Sequence, residues 1–164
     1  MNVFWKISEW VVDFFSLFFP SNCLVCSKSL FRHEQVICMY CRLHFPKSRY
    51  LGDPENPVAK AFWGRAELSH CFSYLHYKKG NSAQKIIHQL KYRGREDAGE
   101  FLGREFGRAV QKGLKEYVDF DMFVPVPLHP SKFRKRGYNQ SEAIARGLAK
   151  ILNIPVANDI LLRK

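Results

Sequence analysis

A chain of 164 residues suits one domain, or one domain and a small module, and is too short for a barrel enzyme of about 250 residues. Apolar residues at 46% and charged residues at 25%, with 14 Phe, 7 Tyr and 3 Trp, supply a core and exclude disorder throughout. The 26 Lys and Arg against 15 Asp and Glu leave a net charge of +11, which favours phosphate-bearing partners over acid-rich surfaces.

In residues 1–19 the polar positions Asn2, Lys6, Glu9, Asp13 and Ser16 recur at alternating spacings of 4 and 3, one wet stripe on an otherwise apolar helix. Such a helix must cover most of its circumference. Packing within the chain or against another subunit, and hence oligomerisation through this helix, is favoured over a lipid surface because the stripe is acidic on balance. Glu9 and Asp13 interrupt the run, so no transmembrane segment is expected. The basic start and small-residue cleavage site of a secretory signal are missing too, and the expected location is cytoplasmic. Pro20 ends the helix.

Four of the five cysteines form two C-x-x-C pairs, Cys23/Cys26 and Cys38/Cys41. Two residues between thiolates let both sulfurs turn toward one ion, and two such knuckles close a four-sulfur structural zinc site with no open position for chemistry. A disulfide framework is the competing reading, disfavoured in a reducing compartment. The module, placed at 20–49, is too small for an apolar core of its own, which also argues for metal. His33 and His44 lie nearby but are not needed as ligands, and Cys71 reads as a small buried hydrophobe.

Gly, Asp, Asn and Pro between Tyr50 and Pro57 mark a linker, after which residues 58–164 form the main domain. Residues 70–78 read as a strand. Asn81 caps a helix over 82–91 whose face is Ile86, Ile87 and Leu90, and a second helix over about 97–116 carries Phe101, Leu102, Phe106, Ala109, Val110 and Leu114 inward. Asp121–Pro127 reads as a second strand, ended by its prolines. A last helix follows Asn139, with Glu142 completing a capping box, and stops at Asn153 and Pro155. Strands separated by helices imply an α/β fold with a mostly parallel sheet.

Lys132, Arg134, Lys135 and Arg136 stand in a stretch from Pro125 to Ser141 with no acid. A solvated face is the plain reading of such a run. Its expected place, a loop between a strand and a helix amino terminus, with Gly137 allowing close backbone approach and Asn139 and Gln140 opening the helix, favours a pyrophosphate or phosphate site. A second cluster, Lys91, Arg93 and Arg95 beside Tyr92, is equally readable as surface or as part of the same cleft. With Tyr138 it could engage a nucleic-acid backbone and stack on bases.

The two knuckles, then Lys91-Tyr-Arg-Gly-Arg95, Val124-Pro-Val-Pro-Leu-His-Pro130 and Arg136-Gly-Tyr-Asn-Gln140 followed by Ser-Glu-Ala-Ile-Ala, resemble the ComF family of competence-associated, phosphoribosyltransferase-like proteins. The resemblance implies a zinc-ribbon-like module fused to a type I phosphoribosyltransferase fold, a part in DNA uptake with the uptake machinery as partner, and binding of single-stranded DNA and phosphoribosyl pyrophosphate. It also implies magnesium in a full-length form. The family's acidic pair followed by a Thr/Gly-rich turn, which grips the ribose phosphate, has no counterpart here. The expected sheet is therefore incomplete, transferase catalysis is not expected of this chain, and an accessory factor that binds single-stranded DNA is the alternative.

Overall fold

The computed structural model describes residues 20–114 and 119–163. The helix expected over 1–19 lies outside the described residues. The chain divides into two compact units, Met1–Phe45 and Pro46–Lys164. The division precedes the expected linker because residues 46–48 pair within the second unit. His76 N donates to Pro46 O at 2.9 Å and Ser48 N to Tyr74 O at 2.8 Å, around an antiparallel bridge between Lys47 and Leu75.

In the first unit an antiparallel bridge between Asn22 and Ser29 closes a tight turn, and helix α1 (Met39–Leu43) follows. Only Cys23, Val36, Ile37, Cys41 and Phe45 are buried in residues 20–45. Two of those five are cysteines, so apolar burial alone is a weak support for this unit.

The second unit is helical. After α2 (Pro57–Lys60) come α3 (Ser82–Tyr92), α4 (Glu96–Gly113), α5 (Pro130–Arg136) and α6 (Gln140–Leu152). Asn56 caps α2 while fully buried. Its Oδ1 accepts from Val58 N and Ala59 N at 2.9 and 3.0 Å, and its Nδ2 donates to Asp53 O and Cys71 O at 2.7 and 2.6 Å. Every hydrogen-bonding group of that amide is thereby used, which is what allows burial. Asn81 caps α3 through Gln84 N at 3.0 Å, and Ala83, Ile86 and Leu90 are its buried face.

The expected α/β fold is corrected. Among the described residues no sheet forms, and β pairing is confined to three isolated bridges. The run 121–127 makes one parallel bridge, Phe123 with Val156, in which Phe123 N donates to Pro155 O at 2.8 Å and Ala157 N to Phe123 O at 2.9 Å. Pro125 and Pro127 have no N–H to extend that ladder, and Val126 is left 66% exposed. The run 70–78 likewise pairs only through its 74–76 stretch. The parallel sheet of a phosphoribosyltransferase-like fold is accordingly not present among the described residues.

The unit is held instead by α4 against α6. Gly99, Gly103 and Gly107 recur every fourth residue, as do Ala143, Gly147 and Ile151. A Cβ on Gly99 would meet Ala143 Cβ at 2.7 Å, one on Gly103 would meet Ile144 O at 2.0 Å, and one on Gly107 would meet Ile151 Cβ at 2.9 Å. Both series climb together, so the two helices run parallel with backbones in contact. Parallel macrodipoles repel. Acids on α4 facing cations on α6 offset that: Arg146 pairs with Glu96 and with Glu100 at 3.4 Å, and Lys150 with Glu100 at 2.5 Å, while Glu142 of α6 itself holds Arg146 at 2.8 Å. Leu90 of α3 also reaches Gly99, where a Cβ would lie 2.9 Å from its Cδ1.

Glycine inside a helix costs about 1 kcal/mol against alanine, so an Ala substitution at an open site should stabilise. Gly113→Ala, which meets nothing within 4 Å, should be neutral or stabilising. Gly103→Ala should destabilise by about 1–3 kcal/mol, because the added methyl drives two backbones apart. Denaturant unfolding of the two variants checks this, and equal behaviour would refute the close crossing.

Candidate metal centre and cationic cleft

The first knuckle is a turn whose geometry is fixed by its backbone. Cys23 N donates to Lys28 O at 2.8 Å, Ser27 N donates to Cys23 O at 2.9 Å, and Ser27 adopts a left-handed φ of 61°. The second knuckle starts a helix, with Cys38 as the residue ahead of α1 and Cys41 within its first turn. Leu24 N to Val36 O at 3.1 Å brings the two together. The four sulfurs lie within 4.8 Å of one another, with Cys26 Sγ and Cys38 Sγ 3.7 Å apart. Four thiolates at about 2.3 Å from a tetrahedral ion would be about 3.8 Å apart, so the cluster could hold zinc with little movement. The thiols titrate unequally. Burial pushes Cys23 up, but hydrogen bonds from the Cys26, Cys38 and Val25 backbone outweigh it and bring the group down to about 7, whereas burial raises Cys41. A dication at the centre would ease this conflict by stabilising all four thiolates.

Sequence reasoning missed Glu34, which braces the second knuckle. Its carboxylate accepts from Phe31 N at 2.9 Å and from Met39 N, the first residue of α1, at 2.5 Å. An acid four residues before the second C-x-x-C pair, close to the start of a helix, was the available signal.

The second site draws on part of each cationic cluster. Lys91, Tyr92 and Gly94 from the end of α3 and Lys132, Lys135, Arg136 and Tyr138 from α5 and its exit line one cavity of about 320 Å³. Within the stretch expected as a loop, residues Pro130–Arg136 form helix α5. His129 caps it, with Nδ1 accepting from Ser131 N at 3.2 Å, Pro130 opens it, and Gly137 at φ 81° closes it. Helical spacing explains which cations face the cavity. Positions 132, 135 and 136 share a face, whereas Arg134 falls off it.

Arg136 is held on two sides. Its guanidinium lies 5.7 Å from the Tyr92 ring centre and donates to Gln140 Oε1 at 2.6 Å. The Tyr138 hydroxyl donates to Leu90 O, tying the exit of α5 to the end of α3; burial pushes its phenol up, so it remains a donor. Asn139 and Gln140 are structural rather than cavity-lining. Asn139 caps α6 through Ser141 N at 3.0 Å and donates to Val126 O at 3.0 Å. Glu142 pairs with Arg146 instead of completing a capping box. Arg93 and Arg95 do not line the cavity either, and Arg95 is engaged by Asp97 at 2.6 Å. The cations that line the cavity thus come from the end of α3 and from α5, and the opening residues of α6 do not line it.

Comparison with protein-family models, curated proteins and solved structures gives no match for this chain. Among the described residues, no helix is long and apolar enough to cross a membrane.

Glu34 adds a carboxylate to the titrating groups of the knuckle. Hydrogen bonds from Phe31 N and then Met39 N hold its carboxyl below the usual 4.5. A lowered folded value stabilises above the unfolded value and loses that contribution as pH falls through the folded one. In protein loaded with zinc, Glu34→Gln should therefore release the ion at lower denaturant than the wild type, with a gap that stays constant from about pH 8 to pH 6. Chelator-detected zinc release checks this; no gap, or one that closes within that range, would contradict the brace.

Proposed function

We propose that this chain binds phosphate-bearing ligands, single-stranded nucleic acid foremost, in the cleft between α3 and α5, and that a structural zinc ion organises its amino-terminal knuckles. The observation that carries the reading is the convergence of Lys91, Lys132, Lys135 and Arg136 on one concave surface beside Tyr92 and Tyr138. Like charges gather at a cost unless an anion shares them, and ammonium and guanidinium groups around an aromatic ring match a chain of phosphates and bases. Tyr92 is 62% exposed and can offer its ring to a base. Arg136, fixed by Tyr92 and Gln140, loses little freedom on engaging a phosphate.

The order of motifs shared with the ComF family extends this proposal to a cytoplasmic accessory role in DNA uptake, without transferase activity. Zinc, when bound, would cross-link the two knuckles through Cys23, Cys26, Cys38 and Cys41 and would take no part in chemistry. Phosphoribosyl pyrophosphate, with magnesium, is the competing ligand at the same cations.

Fluorescence anisotropy of a labelled single-stranded oligonucleotide across a salt series separates these readings. Binding should weaken steeply with salt, and Lys132→Ala and Lys135→Ala should each lower the log–log salt slope by about 1. Arg134→Ala, off the cleft, should change it less. Displacement of the oligonucleotide by stoichiometric phosphoribosyl pyrophosphate would favour the small ligand. Binding that ignores the cleft variants would contradict both.

A further inference from the structure

The four sulfurs of the metal centre differ in how reachable and how movable they are. Cys23 and Cys41 are buried, Cys38 is half-buried and Cys26 is exposed. Cys41 is fixed within α1, and Cys23 Sγ accepts from Cys38 N at 3.3 Å while its own N–H is bonded to Lys28 O. Cys26 and Cys38 both sit outside helix, Cys26 in the first turn and Cys38 just ahead of α1. Their sulfurs, on opposite knuckles, are 3.7 Å apart, against about 2.05 Å in a disulfide bond.

We propose that Cys26 and Cys38 are an oxidation-sensitive pair, and that peroxide converts the zinc-linked knuckles into disulfide-linked ones with release of the ion. This rests on the metal reading and is independent of the cleft. In the first step the exposed Cys26 thiolate attacks a peroxide oxygen; the O–O bond breaks, hydroxide leaves and Cys26 becomes a sulfenic acid. In the second, the Cys38 thiolate attacks the Cys26 sulfur, the S–O bond breaks and a second hydroxide leaves. The two thiolates have lost two electrons and the peroxide has gained them. The ion is left with two buried sulfurs, half its ligands, and departs. A sulfenic acid on Cys26 thus meets its resolving thiol across the centre rather than within its own C-x-x-C pair.

The test uses the full zinc-loaded chain, as wild type and as Cys71→Ser, which leaves the knuckle thiols as the only ones. Hydrogen peroxide is added in the presence of a chromogenic zinc chelator, and the disulfides are mapped by non-reducing peptide mass spectrometry over time. One zinc ion should appear per Cys26–Cys38 link formed, in both proteins, and thiol reductant with added zinc should restore the starting state. A first link at Cys23–Cys26 or Cys38–Cys41, or retention of zinc while the accessible thiols oxidise, would overturn the proposal. Protein that holds no zinc before the oxidant would refute the metal assignment, and the same peptide map would still decide on the pair, since any other first link rejects it.

Discussion

The backbones of α4 and α6 meet at Gly103 and Gly147, whose Cα atoms face each other with no side chain between them. That contact sets the direction of both helices as well as their distance, because Gly99, Gly103 and Gly107 match Ala143, Gly147 and Ile151 in the same order. Parallel helices begin at the same end. The residues leading into α4, 91–95, and those leading into α6, 130–139, are therefore neighbours although about forty positions separate them in sequence. The cleft is a consequence of the crossing, closed by the Tyr138 hydroxyl on Leu90 O.

Charge is distributed to suit that geometry. Acids are concentrated along the α4–α6 seam, where Glu96, Glu100 and Glu142 neutralise Arg146 and Lys150 and offset the parallel dipoles. At the cleft, Lys132 and Lys135 are exposed and Arg136 is held by a ring and an amide instead of by an acid. Asp97, whose charge acts on Tyr138, is taken up by Arg95. The seam is thus neutralised and the cleft is left positive, which separates the part of the basic excess that supports the fold from the part open to a ligand.

Helices were legible in the sequence wherever cap and periodicity agreed. Asn81 and Asn139 both cap as expected, Asn153 ends α6 in a left-handed conformation, and the Ile86/Leu90 and Phe101/Leu102 faces are buried. Two features misled. The apolar runs 70–78 and 121–127 have strand composition, but pairing depends on partners that local pattern does not specify, and prolines silence two donors in the second run. The basic stretch 130–136 has the composition of a loop, although Pro130 and Gly137 are the start and stop of a helix. Recognising that helix would have separated Arg134 from the other three cations. The glycine series at 99, 103 and 107 was also legible, since glycine repeated every fourth residue in a helix is costly unless another backbone needs the room. The four cysteines were plain because their spacing places them together, whereas Glu34 is marked only by its place ahead of the second pair and acts through the backbone N–H groups of Phe31 and Met39.

The central claim is that two cationic segments, distant in sequence, form one receptor for phosphate. Amide and arginine side-chain NMR shifts of the full chain, followed while inorganic pyrophosphate is titrated in, test it most directly. The account expects Lys91, Tyr92, Lys132, Lys135, Arg136 and Tyr138 to move together along one saturating curve, with Arg134 and the 20–45 segment unmoved. Shifts confined to one segment, or scattered over lysines and arginines across the surface without saturation, would contradict it.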